Sequence, residues 1–371
     1  MNLKNKRIIL RVDFNFPFEY RVQCTLPTIK TLLKKGAKVV LITHAEQGGR
    51  NPSLSALYEH LKIYFPRIIL VKGKIFEMPA DFFQKSKTNI ALLDNLRLQK
   101  GEKENNLVFA RILASWGDYY INDAFAASHR EHASIISLPK YLPHEAGPLL
   151  KKEVAELSRV FKPGHPFLFI LAGKKFGTKE PLVSRFLKST DAIFIGGALG
   201  NTFLELRGIP VGASKTENIK IPDKILWNSK ILLPEDAIVY RSGKKKTVLL
   251  NEIEKNDLIY DAGPKTLKVL SGLAKNAKFV LLNGTLGFCE KGFSFGTRKL
   301  AQELGKSKAY KLVGGGDTVA AIRKMKLEKN FDFISTGGGA MLEFLAKGTL
   351  PGIAALGEPR LQSRREALKK K

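Results

Sequence analysis

The sequence predicts an α/β fold of two Rossmann-like lobes, each a parallel sheet flanked by helices, joined by a hinge helix. Three observations carry this expectation. Short apolar runs alternate with amphipathic stretches along the chain, the pattern of parallel strands linked by crossover helices. Most runs end in a polar or glycine-containing turn. At 371 residues the chain exceeds what one core usually holds, so two domains are expected.

The first run is Ile8-Ile9-Leu10. A continuous apolar run suits a strand buried on both faces. Pro17 cannot continue the ladder, so Asp13 and Asn15 fall at the strand's carboxyl end. In an open α/β sheet that edge binds ligands. Runs at 39–42, 68–71, 90–93 and 119–121 follow, with amphipathic stretches such as 26–33, 54–64 and 106–116 between them. They define an N-terminal domain at 1–143. Residues 151–161 alternate charged and apolar positions at helical spacing, and the segments on either side contain helix breakers. Residues 144–166 therefore read as a linking helix and hinge. Runs at 167–171, 192–195, 258–260, 279–282, 310–313 and 331–334 build a C-terminal domain at 167–345. Residues 346–371 read as a segment returning toward the N-terminal domain and ending in a basic tail.

Composition narrows the function classes. The apolar fraction, 44%, is ordinary for a globular protein, and no run approaches a membrane span. Residues 1–7 lead straight into the first strand, which leaves no room for a signal peptide. Cys24 and Cys289 form no CxxC pair, so neither a disulfide framework nor a structural zinc site is expected. The expected location is the cytoplasm. The net charge of +28, from 62 Lys+Arg against 34 Asp+Glu, favours polyanionic partners. No zinc-finger spacing, aromatic RNA-binding signature or helix-turn-helix stands out. Most of the excess is assigned to a solvated surface and some to steering of anionic substrates, with nucleic acid bound only nonspecifically if at all. No repeated apolar surface stripe is present, so a monomer is expected.

The glycines give the chemistry a direction. There is no phosphate loop of the G-x-x-x-x-G-K-[ST] type and no G-x-G-x-x-G fingerprint. Instead Gly173, Gly196-Gly197, Gly314-Gly315-Gly316-Asp317-Thr318 and Gly337-Gly338-Gly339 each follow a strand-like run and open a helical stretch. Glycine lets backbone N–H groups approach an anion, and a helix N-terminus adds positive potential. Four such turns on one edge point to a polyphosphate pocket, in which Asp317 can hold Mg²⁺ directly or through water. The first lobe carries Arg21, His44, Arg97 and Arg130 at its strand ends instead. Arginine pairs bidentately with carboxylate and phosphate, so this edge suits a small acidic ligand.

Together these residues resemble the phosphoglycerate kinase family, in order and from Arg7 to about Leu356. The opening Arg11-Val12-Asp13-Phe14-Asn15-Phe16-Pro17 is similar to a family hallmark. So are Leu92-Leu93-Asp94-Asn95-Leu96-Arg97, Asn122-Asp123-Ala124-Phe125 with His129-Arg130-Glu131-His132-Ala133-Ser134, and Gly173-Lys174-Lys175-Phe176-Gly177-Thr178-Lys179. Asn283-Gly284-Thr285-Leu286-Gly287-Phe288-Cys289-Glu290, the Gly314 to Thr318 turn and Ser335-Thr336-Gly337-Gly338-Gly339-Ala340 complete the match.

The resemblance implies a Mg²⁺-dependent transfer between 1,3-bisphosphoglycerate and ADP, reversible from 3-phosphoglycerate and ATP. It implies that Asp13 and Asn15 hold the glycerate carboxyl and hydroxyl, and that His44, Arg97 and Arg130 hold the remote phosphate. Arg21 would reach the reacting carboxyl and the transferring phosphoryl group. Lys175 would bridge that group, and Gly316 and Gly339 complete the catalytic set. Lys179 would bind the nucleotide phosphates, Glu290 the ribose hydroxyls and Asp317 the metal. Gly173, Gly196, Gly197, Asn283, Gly315 and Thr318 would line the nucleotide site. Hinge closure about 144–166 would bring the substrates together.

The chain also departs from the family. Thr43-His44-Ala45-Glu46-Gln47-Gly48-Gly49-Arg50 stands where the family has S-H-L-G-R-P, so Gln47 replaces an arginine expected on the remote phosphate. Arg50 is the candidate substitute. Phe16, Ala126, Lys174, Thr178 and Thr285 also differ. The competing reading is a catalytically weakened relative that uses its charge to bind nucleic acid or lipid. Retention of Arg21, Lys175, Lys179 and Asp317 favours the enzyme. His129 and His132 read as local structural residues, His144 and His165 as hinge or surface residues, and Asp332 as a strand-edge charge.

Overall fold

The computed structural model describes residues 3–73, 88–173, 176, 177 and 179–357. The chain forms two compact units, one of Met1–Ala155 with the chain from Lys347 onward, the other of Glu156–Ala346. The boundary falls inside the helix Pro148–Ser158.

The first unit holds strands β1 (Arg7–Arg11), β2 (Lys38–Ile42), β3 (Ile69–Val71), β4 (Ile90–Leu93), β5 (Tyr119–Asn122) and β6 (His144–Ala146). They form one parallel sheet in the order β3-β4-β2-β1-β5-β6. Strand side chains alternate between faces. Ile8, Leu10, Val39 and Leu41 enter one core with Ile29 and Leu57. Ile9, Val40 and Ile42 enter the other with Phe109 and Trp116. Both faces are covered, which is why these strands read as unbroken apolar runs.

The helix Glu19–Lys34 buries Val22, Leu26, Ile29 and Leu32 along one stripe. It begins well before the amphipathic stretch at 26–33. Pro27 lies inside it, where local rules would place a helix start. Glu19 in its first turn and Lys34 in its last complement the helix dipole. Within the segment read as linker, His144–Ala146 is instead an edge strand paired with β5. After Lys347 the chain packs on the first unit, where the Gly352 N–H donates to the Ser128 carbonyl at 2.8 Å.

The second unit has a parallel sheet of β7 (Phe167–Leu171), β8 (Ala192–Ile195), β9 (Ile231–Leu232), β13 (Phe279–Asn283), β14 (Tyr310–Gly314) and β15 (Phe333–Ile334). Its order is β15-β14-β13-β7-β8-β9. Leu168, Ile170, Val280, Leu282 and Val313 share one core. Phe167 and Phe169 alternate with them and meet Phe186 edge-on.

A separate antiparallel sheet of β10 (Asp236–Arg241), β11 (Lys244–Leu249) and β12 (Leu258–Ala262) completes this unit. The 258–260 run was expected in the parallel sheet and belongs here. A short apolar run looks the same in either sheet, and only its partners decide. Strands β10 and β11 are joined by Ser242 and Gly243 at φ of 48° and 78°, the geometry of a type I′ hairpin. The edge strand β11 presents exposed Lys244, Lys245 and Lys246.

Asp236 ties the small sheet to the helix Pro264–Asn276. Its carboxylate accepts from the N–H groups of Lys265 and Thr266 and from the Thr266 hydroxyl, all at 2.8 Å. Asp236→Ala is expected to cost about 2–3 kcal/mol by leaving these donors unpaired. Denaturant unfolding followed by circular dichroism checks this, and an unchanged midpoint refutes it.

Candidate active site

All strands of each six-stranded sheet are parallel, so their carboxyl ends share an edge, and most of the predicted residues that are described lie on the turns beyond it. In the first unit the Asp13 carboxylate follows β1 and pairs with the Arg21 guanidinium. Arg21 was read as a strand-end residue; it lies near the start of the helix Glu19–Lys34. The Asn15 side-chain oxygen accepts from the N–H groups of Phe16 at 3.0 Å and Glu46 at 2.8 Å. Asn95 joins the ends of β2 and β4. Its oxygen accepts from Ala45 N–H and Arg97 N–H at 3.2 and 3.1 Å, and its amide donates to the Ala45 carbonyl at 2.7 Å. This fixes the 3₁₀ turn Leu96–Leu98 that carries Arg97.

Beneath them lies Arg11, which has no solvent exposure. Its Nε donates to the Ser134 hydroxyl at 3.0 Å, one Nη donates to the Val12 carbonyl, and the other lies 3.0 Å from His44 Nδ1. The buried Glu102 carboxylate accepts from Ser134 N–H at 2.9 Å and Oγ at 2.6 Å, which balances Arg11 through one shared serine. Burial, then Arg11, Arg97 and Arg130, push the His44 imidazole well below its ordinary value. The same causes bring His132 down to about 4. Both imidazoles are therefore neutral near pH 7. Burial, with Arg130 and Arg11 nearby, lowers Arg97 to about 10.

The donors that remain define the site. Arg97 Nε and Nη2 and Arg130 Nε are buried and have no hydrogen-bond partner among the described residues. Unpaired buried donors are costly. An anion with several oxygens would satisfy them together. The other Nη of Arg97 meets the Glu46 carboxylate. Beyond Glu46, Gln47 and Arg50 exchange backbone hydrogen bonds of 2.9 and 3.0 Å across Gly48 and Gly49, whose φ values are 57° and 77°. Such a bonded pair sits side by side on one face of a tight hairpin.

In the second unit a cleft of about 270 Å³ opens at the sheet's carboxyl edge. Gly173, Gly197, Gly315, Gly316, Lys179, Asn283, Glu290, Asp317 and Thr318 line it, with Tyr260 and Phe288 among the flanking apolar groups. Two turns meet backbone to backbone there. A Cβ on Gly284, at φ 105°, would stand 1.9 Å from the Ala172 carbonyl, and one on Gly197, at φ 63°, 2.9 Å from Gly173 N. Only glycine permits that approach. Thr318 Oγ1 accepts from Gly284 N–H at 2.8 Å, and the Asn283 amide donates to the Gly314 carbonyl at 3.1 Å. Asp317 lies in the first turn of the helix Gly316–Lys324. The Lys179 ammonium is buried and donates to the Ala172 carbonyl. Burial pulls it down to about 8, against the opposing pull of Asp317 and Glu217.

Two predicted residues stand apart from the cleft wall. A Cβ on Gly196 would meet Phe194 and Leu286, which marks close packing, and Gly339 opens its own helix Gly339–Lys347. Lys175, with Lys174 and Thr178, lies outside the described residues. Sequence reasoning missed Arg11, Glu102, Ser134 and Asp261. Asp261 lines the cleft and accepts from Gly296 N–H at 3.1 Å, and burial pushes it up to about 6. In sequence it is one acidic residue at the end of an apolar run.

Glycine turns at a parallel sheet's carboxyl edge cradle phosphates through backbone N–H groups, and the other unit offers arginine donors to a second anion. The class that this pairing defines is a nucleotide-dependent phosphotransferase. The family model described as phosphoglycerate kinase matches residues 1–348. A curated phosphoglycerate kinase of Pseudothermotoga lettingae is 37% identical over 386 aligned positions, covering 96% of this chain and 97% of that protein. The solved phosphoglycerate kinase of Coxiella burnetii is 34% identical with a TM-score of 0.81, and that of Pyrococcus horikoshii 27% identical with a TM-score of 0.85. Each likeness covers 96% of this chain and 97% of the other. The chain belongs to the phosphoglycerate kinase family. Its activity is that of a phosphotransferase with a carboxyl group as acceptor.

Lys179 yields a stability test. Its folded value of about 8 lies below the ordinary 10.5, so between these limits the unfolded chain binds more protons and stability rises with pH. Below that window the folded protein carries a buried charge. Lys179→Met is expected to stabilise the nucleotide-free protein by about 1–3 kcal/mol at neutral pH. That advantage should fade toward pH 10.5. Paired denaturant titrations across the window check it, and a gap that does not change with pH refutes it.

Proposed function

We propose that this chain catalyses reversible, Mg²⁺-dependent phosphoryl transfer from 1,3-bisphosphoglycerate to ADP, giving 3-phosphoglycerate and ATP. The observation that carries the substrate half is the set of buried, unpaired donors on Arg97 and Arg130. Three-carbon acids that end in phosphate supply the acceptor oxygens those donors lack. With the phosphate on Arg97, Arg130 and His44, the glycerate end reaches Asp13, Asn15 and Arg21. The neutral His44 imidazole serves as a hydrogen-bonding group rather than a cation.

The nucleotide belongs in the cleft of the second unit. Lys179 and the turns at Gly173, Gly197 and Gly315 take its phosphates, and Glu290 takes its ribose hydroxyls. Among the described residues no group of three metal-ligating side chains is gathered. Asp317 is a carboxylate facing the cleft. A single carboxylate suits Mg²⁺, which is commonly held by one or two carboxylates and the nucleotide phosphates rather than by a protein cage. When bound, Mg²⁺ supplies positive charge to the phosphate oxygens.

The accepting oxygen is already ionised at neutral pH, so no general base is needed. Catalysis comes from in-line alignment and from neutralising charge on the transferring group. Arg21, Lys175 and the N–H groups at Gly316 and Gly339 serve that purpose. Substrates held on separate units meet through closure about 144–166, which also excludes water. We further propose a cytoplasmic monomer.

A coupled assay with 3-phosphoglycerate and Mg-ATP tests the reading. Saturable turnover is expected, with Lys175→Ala lowering kcat by about 10³-fold or more. Folded protein that binds Mg-ATP but shows no turnover would overturn it. Arg50→Ala tests whether the hairpin arginine replaces the one absent at Gln47. Loss of one charged hydrogen bond to phosphate, about 1.5–3 kcal/mol, is expected to raise KM for 3-phosphoglycerate roughly 10- to 100-fold. An unchanged KM leaves Arg50 without that role.

A further inference from the structure

The carboxylate of Glu46 stands on the guanidinium of Arg97. The Arg97 side chain is 1% exposed and the Glu46 side chain 41% exposed, so the pair joins the buried cluster to its solvent side. Glu46 is held there by its backbone. Its N–H donates to the Asn15 side chain at 2.8 Å, and the preceding Ala45 is bonded to Asn95 through both its N–H and its carbonyl. The Gln47 to Arg50 hairpin closes the loop on the other side.

Each guanidinium nitrogen of Arg11 has a partner, in Ser134, Val12 and His44, and Glu102 is engaged by Ser134. The donors left for a ligand are Arg97 Nε and Nη2 and Arg130 Nε, and Glu46 occupies the remaining Nη of Arg97. We propose that Glu46 is a built-in competitor for the anion. It neutralises Arg97 while the site is empty, and an incoming phosphate must displace it or bind beside it against like-charge repulsion. The proposal rests on the assignment of the phosphorylated acid to this cluster. Its consequence is an affinity for 3-phosphoglycerate set below what the arginines alone would give. A neutral side chain at this position would remove the competition while keeping the loop, because every fixing bond to Glu46 named above is made by its backbone.

Calorimetric binding of 3-phosphoglycerate, and of inorganic phosphate, to the full chain, Glu46→Gln and Arg97→Gln tests this. The expected result is ~3- to 10-fold tighter binding by Glu46→Gln at low salt. That gain should shrink as salt screens the partly exposed charge, and Arg97→Gln should lose binding. A merely structural role for Glu46 would not give a salt-dependent gain. Unchanged or weaker binding by Glu46→Gln, with Arg97→Gln still losing it, overturns the proposal and leaves the substrate assignment standing. Equal binding by all three proteins, or none by any, removes the assignment and the proposal together.

Discussion

Enclosing the Arg11 guanidinium is the constraint on which the first unit depends. A buried cation is tolerated only when it is paired and its donors are satisfied. Meeting that demand recruits Glu102, Ser134 and His44 from separate stretches of chain, together with the carbonyl of the adjacent Val12. The Tyr120 hydroxyl adds a 2.7 Å bond to the Ser134 carbonyl. The ends of β1, β2 and β5 are thereby locked to one another. Each guanidinium nitrogen of Arg11 is engaged, and burial together with the neighbouring arginine charges keeps His44 neutral. The proposed anion site lies beside this network, at Arg97 and Arg130, whose buried Nε atoms have no partner among the described residues.

The second unit reaches a comparable rigidity without charge. Its turns press backbone on backbone, Gly284 on Ala172 and Gly197 on Gly173, and cross-links from Thr318 and Asn283 hold them there. The polar groups of these turns are thus ordered before any phosphate arrives. Burial also penalises charge here, at the Lys179 ammonium and the Asp261 carboxyl.

Much of this was legible in the sequence, because the parallel strands are buried on both faces and announce themselves as apolar runs. The glycine turns follow their runs closely, whereas Arg97 and Arg130 follow theirs at unequal distances. What escaped notice has physical causes. His144–Ala146 pairs through its backbone only at the sheet edge, so its side chains carry no strand signature. The strand Lys244–Leu249 opens with lysines because its outer side is solvated. Arg11 lies inside an apolar run, where a lone cation reads as a strand end. Its partner Glu102 sits in a stretch of charged residues that looks like a solvated helix face. The long-range pairing that makes them one network is a property of the fold.

The same edge strand bears on the unusual charge of the chain. Sheet edges expose unpaired N–H and C=O groups that can template the pairing of another molecule's strand. Adjacent lysines along β11 surround that edge with like charge and a bulky hydration shell. Two copies approaching edge to edge would bring these lysines together, and the repulsion would rise before any hydrogen bond could form. Part of the basic excess thus opposes strand-to-strand pairing of two copies at this edge.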